Sequence, residues 1–250
     1  MRTYPFNLDF TNDNNNLPFF ASFPFIFDDR PIEGISCGIS SRLAGDMKNH
    51  TLNKNRLNLF SKLGLNTANV YGLKQIHSRN VLVVNGSTPP LIEADGMVTQ
   101  DRDRTLSVTV ADCLPVFLYD TKTASFAIVH SGWKGTGIVV DVIDLMMEKY
   151  LTNPCDIAAV LGPCIGCCCY KVDAERAVFF EKEFGIESVR KSNEDFFLDL
   201  KAANVKLLND IGVNNIAVCN NCTFCDERLG SFRREGAQFT HMIALIYSRR

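Results

Sequence analysis

The chain has 250 residues, of which 46% are hydrophobic and 22% charged, a composition that excludes a wholly disordered chain and allows one or two globular domains. Its 26 basic and 28 acidic residues give a formal net charge of −2. We therefore do not expect a binder of nucleic acid or of an anionic membrane surface, which would carry a basic excess. No run of about 18 apolar residues occurs, so no membrane span is predicted.

The ten cysteines are many for a chain of this length. The first residues lack a basic region followed by an apolar block, so no secretory signal is expected. A chain this long does not need a disulfide framework to be stable. We therefore expect a cytoplasmic protein in which the thiols are packing residues, metal ligands or reactive groups.

Residues 1–34 are predicted to form an extended N-terminal segment whose phenylalanines pack on the rest of the protein. A short polar patch at residues 12–16 interrupts this aromatic segment. Residues 35–250 are predicted to form a single domain, because strand-like and helix-like hydrophobic patterns follow one another there without a linker.

Alternating or β-branched runs predict strands at residues 35–39, 81–84, 106–110, 116–119, 126–129, 157–161, 216–219 and 242–247. Helical spacing and end signals predict a helix that opens at residues 135–137 and reaches about residue 150, and further helices at residues 174–184 and 200–211. This order is mixed and is not a strict alternation of strand and helix. It favours an α/β protein in the broad sense (α+β), a layered αβ sandwich with mixed β-sheets. No glycine-rich dinucleotide or Walker-type loop is present.

Three side chains near predicted strand ends could form one metal site. His130 ends a strand, Cys113 follows another, and His77 lies upstream of both. Strand ends can converge at one edge of a sheet, and two imidazoles with one thiolate suit Zn²⁺ with a fourth position open for water or substrate. The separations of 36 residues (113 − 77) and 17 residues (130 − 113) are too long for a zinc finger. They fit a catalytic site assembled from separate strands.

Two other interpretations stay open on spacing alone. The histidines could be unrelated and the cysteine merely buried, or the chain could be a Cys–His hydrolase with Cys113 as nucleophile and His130 as base. Asp112 could orient either arrangement. On an extended chain, however, its side chain would point to the opposite face from that of Cys113.

The remaining cysteines include two groups. The first lies in a tight loop and consists of Cys164, Cys167, Cys168 and Cys169. Its spacing matches no iron–sulfur pattern, and adjacent thiols should not all face one ion, so we predict backbone close to a ligand with thiols packed underneath. The second group follows a predicted strand and consists of Cys219, Cys222 and Cys225. It could be a second thiolate site, although the sequence offers no obvious fourth ligand.

Two loops carry arginines that could hold a phosphate or a carboxylate through a bidentate fork. One contains Arg42 and the other contains Arg233 and Arg234. The alternative for each is a solvated surface position.

Several ordered blocks of the sequence, covering roughly residues 35–247, resemble the YfiH, or laccase-domain, family. The blocks are Lys74-Gln75-Ile76-His77, Ala94-Asp95-Gly96-Met97-Val98-Thr99, Ala111-Asp112-Cys113-Leu114-Pro115, His130-Ser131-Gly132-Trp133-Lys134-Gly135, Gly162-Pro163 with Ile165-Gly166 and Cys168-Cys169-Tyr170, Leu198-Asp199-Leu200 with Asn204, and Cys222-Thr223 with Ser231-Phe232-Arg233-Arg234. The resemblance implies that residues 35–250 form a YfiH-like catalytic domain.

The family was first labelled multicopper polyphenol oxidase, and members are also described as zinc-dependent purine nucleoside phosphorylases with adenosine deaminase activity. The resemblance implies a transferase and hydrolase that acts on adenosine, inosine, guanosine and methylthioadenosine. It implies that His77, Cys113 and His130 bind Zn²⁺, with copper as the alternative. The implied partners are a purine nucleoside and phosphate. We also predict no nucleic-acid or membrane partner, and a monomer or weak homodimer.

A copper-dependent, laccase-like polyphenol oxidase and a Cys–His hydrolase remain the alternative functions. Oxygen reduction by a multicopper enzyme needs several copper ions and many histidines, and the chain has four histidines in all. We predict Asp112, Cys113 and Gln75 as catalytic residues. The residues predicted to bind substrate are Arg42, Lys134, Gly162, Cys164, Arg233 and Arg234.

The sequence departs from the family pattern in three places. The stretch after Arg42 is shorter and runs to His50, and Leu229-Gly230 stands where an aromatic residue is usual. Thr240-His241 replaces a Gly-Arg pair. If that arginine holds an anion, His241 would be a weaker, pH-dependent substitute.

Overall fold

The structure is a computed structural model that describes residues 2–11, 18–48, 53–86 and 92–249. The polar patch predicted at residues 12–16 and His50 lie outside these ranges. Across the described ranges, no helix has the length and apolar character needed to cross a membrane.

The α-helices of the described residues are α1 (Lys54–Lys62), α2 (Ile138–Tyr150), α3 (Ala174–Phe184), α4 (Leu200–Asp210) and α5 (Phe232–Glu235). The strands are β1 (Arg2–Phe6), β2 (Phe20–Phe23), β3 (Ile26–Phe27), β4 (Arg30–Pro31), β5 (Ile35–Ser40), β6 (Val70–Gly72), β7 (Val81–Val83), β8 (Gly96–Thr99), β9 (Thr105–Val110), β10 (Leu114–Asp120), β11 (Phe126–Ser131), β12 (Ile157–Leu161), β13 (Lys171–Val172), β14 (Val189–Ser192), β15 (Asp195–Leu198), β16 (Asn215–Cys219) and β17 (Met242–Ser248). Short 3₁₀ turns occur at Arg42–Ala44, Thr67–Asn69, Pro154–Asp156, Ile186–Ser188 and Gly236–Gln238.

Two large mixed sheets form the centre of the protein. One has the strand order β1-β16-β12-β10-β11-β8-β7 and the other the order β2-β5-β17-β9-β6. Strand β10 runs antiparallel to β11 and β12, whereas β12 and β16 are parallel. A small sheet, β13-β15-β14, and the pair β3-β4 lie apart from them.

The alternation of side chains along each strand builds the layers. Phe117 of β10 and Ala244 of β17 belong to the apolar core between the two sheets. Val116, next to Phe117, packs with Ile143 of α2 on the other side of the seven-stranded sheet. Leu245, next to Ala244, belongs to the cluster that covers the outer face of the five-stranded sheet together with residues of α1. The predicted layered αβ sandwich with mixed sheets is confirmed, in the order helix, sheet, sheet, helices.

The N-terminal segment is part of both sheets. β1 pairs in parallel with β16 at the edge of the seven-stranded sheet, and β2 pairs antiparallel with β5 in the five-stranded sheet. Its aromatic residues Phe20, Phe23 and Phe25 are buried. The segment therefore contributes hydrogen bonds as well as apolar surface, and the division at residue 34 stays a prediction.

Candidate metal centre and its pocket

The three predicted metal ligands come together where the chain passes from one sheet to the other. Cys113 lies in the link between β9 of the five-stranded sheet and β10 of the seven-stranded sheet, and His130 lies on β11 beside β10. His77 lies in the segment between β6 and β7. One ring nitrogen of each histidine and the Cys113 sulfur all lie within 4.8 Å of one another. Sheet packing thus joins residues that are far apart in sequence.

Asp95, just before β8, holds the two histidines in place from behind. Its carboxylate accepts hydrogen bonds from the backbone N–H groups of Ile76, His77 and Ser78, at 3.2, 3.0 and 2.6 Å, and from the Ser78 hydroxyl at 2.8 Å. It also lies 2.9 Å from Nδ1 of His130. A carboxylate on one ring nitrogen orients the imidazole so that the other nitrogen is free to bind a metal.

These contacts shift the pKa values at the site. Burial would raise the pKa of the Cys113 thiol, but His130 and His77 lower it to about 6. Burial would lower the pKa of His130, but the Cys113 thiolate and Asp95 raise it to about 9. For Asp95, burial is outweighed by the hydrogen bonds from His130 and Ser78, which lower its pKa to about 2. The thiolate form required of a metal ligand is therefore favoured at neutral pH.

The backbone around the centre is unusual at two positions. His77 has φ of 57° and Asp112 has φ of 86°, in the left-handed region that non-glycine residues rarely adopt. The chain is therefore not extended at residues 112–113. The alternation expected of an extended chain therefore does not apply to Asp112 and Cys113, and both residues line the same pocket.

Gly132 leaves room for the sulfur. A Cβ atom at this position would stand 2.8 Å from Cys113 Sγ and 3.5 Å from His77 Nδ1. Only a residue without a side chain fits here while the thiolate stays where it is.

We expect Gly132→Ala to weaken metal binding at this candidate site, tested with zinc, by about ten- to a hundred-fold, because relieving such a clash typically costs about 1–3 kcal/mol and would displace a candidate ligand. Zinc affinity measured by competition with a chelator checks this. Gly86→Ala is the control, since its added Cβ would meet only the end of Arg104, at 3.7 Å. Equal zinc affinities for the two variants would contradict the argument.

The three ligands open into a pocket of about 650 Å³, a size common for small-molecule sites. Its cationic lining residues are Lys134, Arg176 and Arg233. Its aromatic lining residues are Trp133, Tyr170, Phe232 and Phe239. The guanidinium carbons of Arg176 and Arg233 lie 4.3 Å and 5.4 Å from the ring centres of Trp133 and Tyr170. The pocket therefore offers positive charge and flat apolar surface side by side.

Asp112 and Gln75, two of the three predicted catalytic residues, line this pocket but are engaged in hydrogen bonds. Asp112 accepts one from the Thr223 hydroxyl at 2.6 Å and one from the Arg233 backbone N–H at 2.7 Å. The Gln75 amide exchanges hydrogen bonds with the backbone and hydroxyl of Thr109. Asp112 therefore does not orient either histidine ring. Asp95 makes that contact with His130.

Of the predicted substrate-binding residues, the structure places Lys134 and Arg233 at the pocket and four others away from its lining. The four are Arg42, Gly162, Cys164 and Arg234. The Arg42 side chain is 40% exposed and lies 3.7 Å from Glu235. Arg234 donates to the carbonyl oxygens of Thr223 and Phe224 and to Glu235, so it holds a loop together.

The remaining two of these four face the interior. A Cβ on Gly162 would stand 2.8 Å from the Pro115 side chain. Cys164 is buried, and its neighbour Ile165 lines the pocket instead.

His241 lies at the pocket, where the sequence suggested a substitute for an anion-binding arginine. Its Nδ1 is 2.8 Å from Asp46, whose carboxylate also accepts a hydrogen bond from the His241 backbone N–H. The Asp46 carboxylate thus already provides a negative partner for this ring.

Two further residues at the site were missed by sequence reasoning. Asp95 lies within one of the family blocks, and the acidic residue between Ala94 and Gly96 is the signal that the sequence offers for it. Nothing in the sequence indicates that Arg176 lines the pocket, because an arginine in the first turn of a helix is usually solvated. Its position over Trp133 follows only from how α3 packs.

The sandwich of two mixed sheets and the Cys/His centre between them define an αβ protein with a candidate metal site. The family model described as multi-copper polyphenol oxidoreductase laccase matches residues 29–249. The chain therefore belongs to this family, and the resemblance inferred from the sequence blocks is confirmed.

Individual relatives agree with this assignment. A Clostridium acetobutylicum protein named purine nucleoside phosphorylase is 38% identical over 186 residues, 72% of this chain and 78% of that protein. A Corynebacterium glutamicum protein of the same name is 35% identical over 187 residues, 73% of this chain and 76% of that protein. The crystal structure of the Bacillus licheniformis hypothetical protein YfiH is 26% identical and has a TM-score of 0.79, covering 86% of this chain and 93% of that chain.

Proposed function

We propose that this protein is a zinc-dependent purine nucleoside phosphorylase that acts on adenosine, inosine, guanosine and methylthioadenosine, with adenosine deaminase activity at the same site. The observation that carries the proposal is the position of the metal-ligand set inside a pocket that also holds cations and aromatic rings. The names of the bacterial relatives point the same way.

The residues present fit a zinc ion. Two imidazole nitrogens and one thiolate are donors that zinc prefers, and three protein ligands with one open position are typical of catalytic zinc. The hydrogen bond between Asp95 and His130 is the outer contact expected of a metal-binding histidine. When bound, zinc supplies a Lewis acid that lowers the pKa of a water molecule or polarises a substrate oxygen. We propose zinc rather than copper for this donor set.

Phosphorolysis requires a phosphate ion to attack the anomeric carbon while the purine departs. We propose that Arg233 and Lys134, with Arg176 nearby, hold the phosphate by charge-assisted hydrogen bonds. The aromatic lining would stack on the purine ring. Burial raises the pKa of the Tyr170 hydroxyl, which therefore stays protonated and can donate a hydrogen bond to the departing base.

We propose positioning tasks for Asp112 and Gln75. The Asp112 carboxylate fixes the backbone of Arg233 beside the pocket. The Gln75 amide binds Thr109 near the end of β9. The link that contains Cys113 follows this strand. Both contacts would keep the metal ligands and the phosphate-binding arginine at a constant separation.

We expect Arg233→Ala to raise the KM for phosphate by about ten- to a hundred-fold, because a hydrogen bond to a charged group contributes about 1.5–3 kcal/mol. Initial rates at varied phosphate concentration, with inosine saturating, measure this effect. Arg42→Ala removes an arginine that lies outside the pocket lining and should leave this KM unchanged. A raised KM in Arg42→Ala with an unchanged KM in Arg233→Ala would instead identify Arg42 as the phosphate-binding residue.

The proposed function is tested with inosine, phosphate and the zinc-loaded protein. Phosphorolysis predicts hypoxanthine and ribose 1-phosphate in equal amounts, and no turnover after zinc is removed. Ammonia released from adenosine reports the deaminase activity. Oxygen consumption with a phenol, without phosphorolysis, would instead identify a polyphenol oxidase. Activity that survives chelation but is lost on thiol alkylation would identify a Cys–His hydrolase.

The proposal also covers the location, assembly and partners of the protein. We propose a cytoplasmic protein that works as a monomer or weak homodimer on small-molecule substrates, without nucleic acid or membrane as partner. The net charge of −2 is in keeping with this.

A further inference from the structure

Four cysteine thiols lie close together outside the His77–Cys113–His130 centre. They belong to two turns, one following β12 and one following β16, and they are Cys168, Cys169, Cys222 and Cys225. Because β12 and β16 are parallel neighbours, the ends of both strands lie side by side, and a bridge between Cys164 and Cys222 continues their pairing. The four sulfur atoms all lie within 4.8 Å of one another.

This cluster bears on both cysteine groups of the sequence. The thiols of the first group do not all face one point, since Cys164 and Cys167 are outside the cluster, but adjacent Cys168 and Cys169 do, because residues 167–169 form a turn and not an extended strand. Cys222 and Cys225, for which the sequence offered no obvious fourth ligand, are joined by Cys168 and Cys169 from this turn. Cys164 and Cys219 do not take part, since both are buried outside the cluster.

The separations suit a tetrahedral metal ion. With metal–sulfur bonds of about 2.3 Å, the sulfurs of a zinc tetrathiolate lie about 3.8 Å apart. Here Cys225 Sγ is 3.9 Å from Cys168 Sγ and 3.4 Å from Cys169 Sγ. A disulfide would need about 2.05 Å, and all four cysteines are free. Only a small inward movement of the sulfurs is needed to bind one ion.

The surrounding backbone is arranged for a sulfur anion. The N–H of Gly166 donates to Cys222 Sγ at 3.2 Å. A Cβ on Gly166 would stand 3.2 Å from Cys168 Sγ, so glycine makes space for the cluster. Such N–H contacts are the outer partners expected of metal-bound thiolates.

Two guanidinium groups hold the turns from outside. Arg190 donates to the carbonyl oxygen of Cys167 at 3.0 Å. Arg234 donates to the carbonyl oxygens of Thr223 and Phe224 at 2.7 and 2.9 Å. This explains why Arg234 is away from the pocket lining, and it gives each turn a fixed shape.

We propose that Cys168, Cys169, Cys222 and Cys225 form a second metal site that binds one structural zinc ion, separate from the His77–Cys113–His130 centre. Four thiolates close the coordination shell and leave no position for substrate, which is the pattern of structural zinc. Each thiol gives up its proton when the ion binds.

The second ion would fix two walls of the pocket. Tyr170 follows Cys169 directly and lines the pocket. Thr223 follows Cys222 directly and donates its hydroxyl to Asp112, next to Cys113. The tetrathiolate site therefore joins the two turns that position these contacts.

The test compares zinc content in four proteins purified with reductant, loaded with zinc and desalted. We expect about two ions per chain in the wild type and about one in Cys113→Ala, which keeps only the second site. The pair Cys222→Ser/Cys225→Ser should also hold about one. Cys167→Ser, which changes the neighbouring thiol of the same turn, should keep both.

Thiol protection tests the site without disturbing it. In Cys113→Ala, zinc should shield Cys168, Cys169, Cys222 and Cys225 from alkylation, read by peptide mass spectrometry, while exposed Cys155 reacts equally with and without zinc. Cobalt in place of zinc should give strong sulfur-to-metal absorption. A Cys113→Ala protein that binds no zinc, unprotected thiols, or iron with acid-labile sulfide would overturn the proposal. These readouts need no nucleoside, so they are independent of the phosphorylase assay.

Discussion

Replacing Cys113 with alanine is expected to lower phosphorolysis of inosine by at least about a thousand-fold. The sulfur supplies one of three ligands to the proposed catalytic zinc, and the charge stabilisation from such an ion amounts to several kcal/mol, with each 1.4 kcal/mol equal to tenfold in rate. Both phosphorolysis and deamination should fall together, because the proposed function assigns both reactions to the same ion. Steady-state rates with inosine and with adenosine measure the two losses.

The matched control for this variant is Cys155→Ser, which changes an exposed thiol outside both cysteine-containing groups. It should retain wild-type rates. Circular dichroism of Cys113→Ala should match that of the wild type, since the two sheets do not depend on this side chain for their pairing. Full activity in a folded Cys113→Ala protein would remove this cysteine from the mechanism.

Hydrophobic periodicity was sufficient to predict the central elements. Strand β12 (Ile157–Leu161) has the predicted bounds, and helix α2 (Ile138–Tyr150) begins directly after the predicted opening at residues 135–137 and ends at Tyr150 as predicted. Strand β10 is longer than predicted by two residues at the start and one at the end. These elements bury a regular stripe or a whole strand, and burial produces the pattern that is visible in the sequence.

Helix α1 was missed because its sequence carries few apolar residues. In Lys54–Lys62 the buried residues are Arg56, Leu59 and Phe60, which is too short a stripe to separate from a polar loop. Its N-cap, Asn53, accepts hydrogen bonds from two backbone N–H groups. Strands β14 and β15 are missed for a related reason, since their pairing with each other leaves them only partly buried.

Asn204 is a buried amide within an apolar helical stripe, and buried polar groups need hydrogen bonds. Its side chain bonds Ser131 at the end of β11, next to His130, and the Leu200 carbonyl oxygen. The need for a partner is a local property, whereas the identity of the partner depends on helix packing.

The candidate site also has features that the sequence predicts and features that it does not. The candidate ligand residues follow from the sequence blocks, but the different positions of Arg233 and Arg234 relative to the pocket do not. Adjacent residues in the short helix α5 point in different directions, so one faces the pocket and the other faces the loop carbonyls. Which of the two faces the pocket depends on tertiary packing, which one sequence does not reveal.

Asp95→Asn is expected to weaken zinc binding by about ten- to a hundred-fold, the range typical when a hydrogen-bond partner of a metal ligand is changed. The amide would lose the charge that pairs with His130 and could no longer accept from all of the N–H groups at residues 76–78. Zinc affinity by chelator competition measures the effect, and thermal unfolding measures any loss of stability.

Asp120→Asn separates positioning from simple support of the fold. Asp120 is equally buried, and it also accepts two backbone N–H groups and a hydroxyl, in the turn between β10 and β11. Both variants should lower the unfolding temperature, because each disturbs a buried carboxylate with several hydrogen bonds. Only Asp95→Asn should lower zinc affinity. If both variants lose stability equally and bind zinc equally well, Asp95 supports the loop at residues 76–78 without orienting the ring of His130 toward the proposed metal ion.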